Sequence, residues 1–343
     1  MRSAAWQASA ALVAAAGLLL TSCDRVDAGG GRAEPAPPSS VMFTAAGDIG
    51  MTGESAATLA DVRRLDPDVH FALGDLSYGE VGTEREWCEF VARQVGGTVP
   101  FELLSGNHES DGANGDIGAF AECLPNRVDG LVGDYARQYR VDLPAGSPLV
   151  RFVMISPGIT FPDGTWSYAR GSERYEWTRS AIDDARSAGI RWVVVGMHKP
   201  CLSVGNYECD PGPDLVDLLV QRRVDLVIGG HEHLYQRTAQ LALGADCASV
   251  APVAVTPACV VDGGDQLEQG AGTVFVTVGT GGTTLRDVHA DDPDAPYFAT
   301  WSGANVAPSW GNLVVRVTDA ALELEFVPAV GAFTDRVRIG AAG

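Results

Sequence analysis

The chain has little positive charge and no long apolar run. Its 343 residues carry 24 Lys+Arg against 44 Asp+Glu, a formal net charge of −20 at pH 7, and Lys199 is the single lysine. Because so acidic a chain repels phosphate backbones, its composition argues against nucleic-acid binding through a basic face. Apolar residues at 46% and charged residues at 20% are the proportions of a globular protein, which excludes a disordered, fibrous or polytopic membrane chain.

A targeting segment opens the sequence. Residues 8–20 are apolar and uncharged, but this run is too short for a comfortable membrane span. It ends in Leu-Thr-Ser-Cys at 20–23, which resembles the lipobox of bacterial lipoproteins. We therefore expect a signal peptide over residues 1–22, a lipid-bearing Cys23, and a Gly-, Ala- and Pro-rich flexible tether over residues 23–40. An ordinary secretory peptide and an uncleaved anchor helix are the alternatives.

The cysteines contain no CxxC pair, so a zinc ribbon or a thioredoxin-like redox site has no support. Besides Cys23, six cysteines remain, an even number that suits three disulfides in an oxidising compartment. Sequence alone permits many connectivities. Pairing by neighbourhood, because short loops close most easily, predicts Cys88–Cys123, Cys201–Cys209 and Cys247–Cys259. The cysteine count favours export, and together with the lipobox-like residues 20–23 it predicts a cell-membrane lipoprotein that faces outside the cytoplasm.

Beyond residue 40, short apolar runs alternate with amphipathic stretches, which indicates α/β layers. Apolar runs predict strands at residues 41–46, 69–73, 101–105, 149–155, 192–197, 226–228, 274–278, 313–317 and 322–326. Helical spacing predicts helices at residues 54–65, 85–95, 173–188 and 213–223. The closing strands have no helices between them, so we expect an antiparallel finish. Residues 238–272 are interpreted as a surface excursion closed by a disulfide.

Polar side chains follow five of these strands at the point where each strand ends. They are Asp48 after the first, Asp75 with Tyr78 after the second, Asn107 with His108 after the third, then His198, and finally His231 with His233. The carboxyl ends of strands are where α/β sheets place their ligand sites. Each residue alone is more often a cap or a turn residue, but the ordered set, with four of the six histidines in it, predicts a site.

The five motifs GDIG (47–50), GDLSY (74–78), GNHE (106–109), GMH (196–198) and GHEH (230–233) resemble those of the purple acid phosphatases. This family belongs to the calcineurin-like metallophosphoesterases. The resemblance covers essentially all of residues 41–343, which we expect to be one metallophosphoesterase catalytic domain. It implies a four-layer αββα sandwich of two mixed β-sheets, with a two-metal centre at one edge.

The resemblance also implies a ligand set. A trivalent iron, Fe(III), would be held by Asp48, Asp75, Tyr78 and His233. A second, divalent metal (Fe, Zn or Mn) would be held by Asp75, Asn107, His198 and His231. Most other metallophosphoesterases carry a histidine where this chain has Gly50, and they lack the tyrosine. A phenolate stays ionised only beside a strongly polarising cation, so Tyr78 favours iron(III) over a pair of divalent ions.

The implied activity is hydrolysis of small phosphate monoesters by a metal-activated water, with His108 as general acid towards the leaving group. The alternative role of His108 is to orient metal ligands. A phosphodiesterase or nucleotidase on the same site, and a non-catalytic phosphate-binding surface lipoprotein, are the alternative functions. The resemblance leaves the oligomeric state open.

Candidates for substrate contact are less well defined. Plant-type members of the family carry a histidine pair beyond the third-motif histidine, where this chain has Asn206, Tyr207 and Glu208. Tyr207, Glu208 and the late-loop His289 are therefore candidate substrate contacts. His70 lies inside a predicted strand, and we expect it in the core or at a sheet edge.

Overall fold

The computed structural model describes residues 40–110, 112 and 114–342, so the predicted signal peptide, Cys23 and the tether up to residue 39 lie outside the described residues. The described strands are β1 (Val41–Ala46), β2 (Val69–Leu73), β3 (Phe101–Leu104), β4 (Val132–Asp134), β5 (Gln138–Leu143), β6 (Val150–Ile155), β7 (Thr160–Phe161), β8 (Gly164–Thr165), β9 (Trp192–Met197), β10 (Leu226–Gly229), β11 (Tyr235–Thr238), β12 (Gln240–Leu241), β13 (Val260–Asp262), β14 (Gln266–Glu268), β15 (Val274–Val278), β16 (Phe298–Ser302), β17 (Trp310–Val317), β18 (Ala321–Val330) and β19 (Asp335–Gly340). The α-helices are α1 (Gly53–Leu65), α2 (Glu84–Val95), α3 (Ile117–Cys123), α4 (Glu173–Ser187) and α5 (Pro213–Gln221). None of these helices combines the length and apolarity that a membrane crossing requires.

All nine predicted strands and four predicted helices are present. The strands β1, β2, β9 and β15 have the predicted bounds, and each predicted helix deviates by at most two residues at an end. The strands β17 and β18 are longer than predicted because their antiparallel pairing continues through Gly311, Asn312 and Pro328, which interrupt the apolar pattern. That pairing, with β18 against β19, confirms the antiparallel finish.

Two mixed sheets form the centre of the molecule. The first has seven strands in the order β14-β19-β18-β17-β1-β2-β3, and the second has eight in the order β16-β11-β15-β10-β9-β6-β5-β4. The strands β1, β2 and β3 run parallel to one another, as do β6, β9, β10 and β15, and antiparallel strands complete each sheet. The predicted pair of mixed sheets is confirmed.

Alternation along the central strands separates an inner face from an outer face. In β2, Phe71 belongs to the core between the sheets, whereas Ala72 belongs to the core beneath the helices. In β6, Phe152 and Val153 divide in the same way. The ring of Phe152 lies 4.9 Å from that of Phe43 and 4.7 Å from that of Phe71, so the sheets pack directly against each other. Helices on the outer faces complete four layers, and the predicted αββα sandwich is confirmed.

Residues 238–272 are not the simple surface excursion that the sequence predicts. Leu241, Cys247 and Cys259 are fully buried in a small apolar cluster that also includes Val216 and Tyr297. Further along, β14 pairs in parallel with β19 and forms an edge of the seven-stranded sheet. The strands β13 and β14 are not predicted because each has only three residues, too few to produce a periodic pattern in a glycine- and proline-rich segment.

The structure contains the three disulfides expected from sequence neighbourhood. The Cα atoms lie 6.1 Å apart in Cys88–Cys123, 3.9 Å in Cys201–Cys209 and 5.1 Å in Cys247–Cys259. The first joins α2 to α3, and the second closes the loop that follows β9. Each of these two bridges therefore restrains a segment that adjoins a strand-end motif.

Candidate metal centre

A first cluster brings Asp48, Asp75, Tyr78 and His233 together. The Tyr78 hydroxyl lies 3.0 Å from Asp48 Oδ1, 3.3 Å from Asp75 Oδ2 and 3.1 Å from His233 Nε2. His233 Nε2 is also 3.3 Å from Asp48 Oδ1. Because His233 Nδ1 bonds to the Thr284 carbonyl oxygen at 3.0 Å, Nε2 is the nitrogen that faces the carboxylates. Four side chains from three separate parts of the sequence thus converge on one point.

A second cluster shares Asp75 with the first and adds Asn107, His198 and His231. His198 Nε2 lies 3.2 Å from both Asp75 Oδ1 and Asn107 Oδ1, while its Nδ1 bonds to the Leu73 carbonyl oxygen at 2.7 Å. Potential ligand atoms of Asp75, His198 and His231 lie within 4.8 Å of one another, as do those of Asp48, Asp75 and His233. His231 Nε2 is buried and has no hydrogen-bond partner among the described residues.

Strained backbone holds these side chains. Nine described non-glycine residues have positive φ, and four of them are Asp48 (60°), Asp75 (51°), Tyr78 (54°) and His231 (69°). Such conformations cost about 1–3 kcal/mol each and cluster at functional sites. The hydrogen bond from the His231 N–H to Asp48 Oδ2 (2.8 Å) ties the two sheets together at this point. The packing of the surrounding strands maintains a local geometry that the isolated loops would not adopt.

Gly74 allows the strand ends to approach closely. It has a φ of +85°, and a Cβ at this position would lie 2.6 Å from the Gly106 nitrogen and 2.7 Å from His198 Nδ1. Both the positive φ and the contact distances therefore require glycine immediately before Asp75.

His108 lies beside the shared carboxylate with one edge towards solvent. Its Nδ1 is 2.7 Å from Asn114 Oδ1, its Nε2 is 3.7 Å from Asp75 Oδ2, and the side chain is 32% exposed. Its backbone N–H donates to Asp75 Oδ1 at 3.1 Å. The neighbouring Glu109 is buried and accepts backbone hydrogen bonds from Asp75, Leu76 and Gly106. His108 is thus the member of the GNHE motif that presents a titratable group both to the shared carboxylate and to solvent.

The electrostatics of the clusters favour bound cations. Burial, reinforced by Asp48 and Asp75, raises the pKa of Tyr78 well above its usual value. Burial acts to lower the pKa of His198, but Asp75 outweighs it and raises that pKa to about 9. Burial acts to raise the pKa of Asp75, but His198 outweighs it and holds that pKa below its usual range. Only a cation beside these groups would ionise the phenol and take the lone pair of His198.

The donor set fits the metals that the sequence predicts. Carboxylate, phenol and amide oxygens combined with imidazole nitrogens suit iron, zinc and manganese, and no cysteine contributes a thiolate. The two carboxylates and the three imidazoles are buried, and the Nε2 atom of His231 has no partner among the described residues, as expected of metal ligands. The strand-end residues singled out in the sequence are therefore candidate metal-binding residues in two clusters that share one carboxylate.

The three candidate substrate contacts differ in their positions. The ring of Tyr207 stacks on that of His231, with centroids 3.9 Å apart and an interplanar angle of 22°. His289 is exposed, and its Nε2 bonds to Asn206 Oδ1 at 2.9 Å, next to Tyr207 but not to the clusters. Glu208 is exposed, and its role stays a prediction. His70 is buried in β2, stacks on Phe101, and lies in the core as expected.

Two residues near the site carry no functional assignment from the sequence. Glu232 is fully buried; its Oε1 accepts hydrogen bonds from the Tyr207 N–H at 2.6 Å and from Ser203 Oγ at 3.0 Å. Arg286 places its guanidinium carbon 4.6 Å from the centroid of the Tyr207 ring. Burial and then His198 lower the pKa of His231, and the charges of Lys199 and Arg286 act in the same direction. The GHEH motif contains Glu232, whereas no motif marks Arg286.

The sandwich and the strand-end clusters together define a protein family. The sequence profile of the calcineurin-like phosphoesterases matches residues 41–235, more than half of the chain. The chain therefore belongs to the calcineurin-like phosphoesterase family.

Relatives within this family include purple acid phosphatases, which confirms the resemblance seen in the motifs. Purple acid phosphatase 18 of Arabidopsis thaliana is 26% identical over 213 residues, 59% of this chain and 46% of that protein. An uncharacterized protein of Mycobacterium tuberculosis is 31% identical over 253 residues, 69% of this chain and 46% of that protein. A purple acid phosphatase structure from yellow lupin seeds has a TM-score of 0.66 at 21% identity, covering 90% of this chain and 55% of that chain. The chain spans about half the length of the curated relatives it matches.

Proposed function

We propose that the chain is an exported phosphatase that hydrolyses phosphate monoesters at a two-metal centre, as a purple acid phosphatase does. The observation that carries this proposal is the position of Asp75. It is a buried carboxylate common to both ligand clusters, with one oxygen facing Tyr78 and the other facing His198. A carboxylate in that position can bind two cations at once. The family and the purple acid phosphatase relatives support the same reading.

We assign the first cluster to iron(III) and the second to a divalent ion, either iron, zinc or manganese. Ionised Asp48, Asp75 and Tyr78 would contribute three negative charges, while Asn107 and the imidazoles would contribute none. With one trivalent and one divalent ion, the centre would keep a net charge of about +2, which suits a phosphate ester. When bound, the two ions supply Lewis-acid polarisation of the phosphoryl oxygens and lower the pKa of a water.

The protein's own part in catalysis falls to His108. With Nδ1 bonded to Asn114, Nε2 is the nitrogen that faces Asp75 and the opening. As water adds to phosphorus and the ester P–O bond breaks, a protonated His108 gives its Nε2 proton to the leaving oxygen. The partial exposure of His108 lets the alcohol leave and lets solvent return the proton. Glu109 keeps Asp75 in place through the backbone hydrogen bonds described above.

A hydrolysis panel on iron-loaded protein, read together with an absorption spectrum and elemental analysis, tests the proposal. We expect turnover of aryl and alkyl phosphates and a visible charge-transfer band from phenolate bound to iron(III). Tyr78→Phe should remove the band, whereas Tyr168→Phe, a buried tyrosine outside the clusters, should leave it intact. A colourless, fully active protein with two zinc ions would overturn the iron assignment.

Two other outcomes would replace the proposed function. If kcat/KM is higher for a diester than for a monoester with the same leaving group, the chain is a phosphodiesterase on this site. If metal-loaded protein hydrolyses no ester, a non-catalytic phosphate-binding lipoprotein becomes the better explanation. Both comparisons use the same preparations as the hydrolysis panel.

We also propose export and lipid anchoring at Cys23. Support comes from the lipobox-like residues 20–23 and from three disulfides, which persist in oxidising compartments. Mass spectrometry of protein from its native membrane should find a lipidated N-terminus at Cys23. An unmodified N-terminus at any other residue would contradict this.

A further inference from the structure

We propose that Arg286 binds the phosphoryl group of the substrate and makes the site prefer the dianionic group of a monoester over the monoanionic group of a diester. This inference rests on the proposed function and adds a specificity-determining residue to it. Arg286 lies in the loop between β15 and β16, outside all five strand-end motifs.

Arg286 is placed near both histidines of the GHEH motif, its backbone beside His233 and its guanidinium separated from His231 by the Tyr207 ring. Its backbone N–H donates to the His233 carbonyl oxygen at 2.9 Å, which fixes the residue beside the first cluster. Its guanidinium lies over Tyr207, whose ring covers His231 of the second cluster. The Arg286 side chain therefore extends from beside the first cluster towards the second cluster.

The Nη1 atom of the Arg286 guanidinium has no acceptor within the part of the chain that the structure describes. Arg286 forms no ion pair with the described residues, and its buried Nη1 atom has no hydrogen-bond partner among them. Leaving a buried charged donor unsatisfied is costly, so such a group calls for an anion. Although the chain has 44 acidic residues, no carboxylate within the described part of it pairs with Arg286, so the positive charge of this side chain is not compensated there.

The support beneath Arg286 is rigid. Tyr207 is held by its backbone bond to the buried Glu232, and Tyr207 lies within the loop closed by Cys201–Cys209. The guanidinium rests on this ring at a cation–π distance, which limits its rotamers. A fixed guanidinium loses little conformational freedom when it binds a phosphoryl oxygen.

Charge explains the selectivity. The coulombic attraction of a fixed cation doubles when the bound phosphoryl group carries two negative charges instead of one. A guanidinium stays protonated throughout the range in which the enzyme would work, so this preference does not fade as pH rises. Its two parallel donors can bind two phosphoryl oxygens of either ester, so the selectivity comes from the charge of the phosphoryl group.

The test compares Arg286→Gln and Arg286→Lys with a matched control, Arg316→Gln. Arg316 is an exposed arginine that pairs with Met42 at the start of β1, whereas Asp48 follows the end of that strand. In metal-loaded protein, Arg286→Gln should weaken inorganic phosphate binding by about 10- to 100-fold, the range for one charge-assisted hydrogen bond. The kcat/KM for an aryl phosphate should fall to a similar extent and that for the matched diaryl phosphate much less. Arg286→Lys should fall between Arg286→Gln and the wild type.

Equal losses on both esters, or unchanged phosphate affinity in both Arg286 variants, would overturn the inference. If Arg286→Gln fails to fold or to bind metal, the monoester-to-diester ratio of Arg286→Lys decides the question. If the wild type hydrolyses neither ester, the proposed function fails, while calorimetric titration with phosphate still reports on Arg286. The two failures are therefore distinguishable.

Discussion

Replacing Gly74 by alanine tests whether close approach of the strand ends builds the metal centre. Holding alanine at a φ of +85° costs about 1–2 kcal/mol. The added Cβ would also lie 2.7 Å from both the Gly106 Cα and His198 Nδ1, and overpacking of this kind costs about 1–3 kcal/mol. We therefore expect Gly74→Ala to lower the free energy of unfolding by about 2–5 kcal/mol.

Gly130→Ala provides the matched control. Gly130 has a φ of +81°, and a Cβ there would meet nothing within 4 Å. It carries the same backbone penalty, and the same gain from a stiffer unfolded chain, without the clash. Chemical denaturation of both variants, with the disulfides intact, isolates the cost of the contact with Gly106 and His198.

Metal content gives the second measurement. Because the new Cβ presses on His198 and on the residue before Asn107, Gly74→Ala should lose the metal of the second cluster more readily than that of the first. Gly130→Ala should keep both metals. Equal stabilities for the two alanine variants, together with full metal occupancy in Gly74→Ala, would refute the reasoning.

Three further predictions concern other parts of the molecule. His108→Asn should lower kcat by about 10²- to 10⁴-fold for an alkyl phosphate and less for an activated aryl phosphate, with unchanged metal content; a loss that is independent of the leaving group would contradict its role as acid. Replacing Cys88 and Cys123 by serine opens a loop of 35 residues and should lower the free energy of unfolding by about 4 kcal/mol. The same change at Cys201 and Cys209 opens a loop of 8 residues and should lower it by about 2.5 kcal/mol. The reverse order in urea denaturation would contradict loop-closure entropy as the cause. Burial raises the pKa of Glu102 to about 7, so the folded state binds its proton more tightly than the unfolded state, and this contribution to stability is lost as pH rises from about 4.5 through about 7. Glu102→Gln should gain up to about 3 kcal/mol relative to the wild type between about pH 4.5 and pH 8, and a pH-independent difference would show that the carboxyl group does not titrate as stated.

The sequence predicts the central strands well because they are buried on both faces. Continuous apolar runs such as residues 192–197 need no context to be recognised as strands. The exposed β4 and the two-residue β7, β8 and β12 are too exposed or too short to produce an apolar period, so no local pattern indicates them. The helix α3 has seven residues and includes Gly118, too few and too irregular for a helical period.

The candidate ligands are predictable for a geometric reason. Parallel strands deliver the residues that follow them to one edge of a sheet, so order along the chain becomes proximity in space. Arg286 reaches the same edge through a backbone hydrogen bond to His233, 53 residues earlier in the sequence, and its own neighbours form no pattern. The stacking of Tyr207 depends likewise on a buried glutamate that only the fold brings to it.

The candidate ligands are divided between the two layers of the sandwich. Asp48, Asp75 and Asn107 follow strands of the seven-stranded sheet, whereas His198 and His231 follow strands of the eight-stranded sheet. Each cluster takes ligands from both layers, so sliding one layer past the other would change the distances between ligand atoms within each cluster without altering any loop. Directed evolution of this site should therefore include the side chains packed between the two sheets. A substitution there shifts one sheet relative to the other and so changes the ligand distances without touching any ligand.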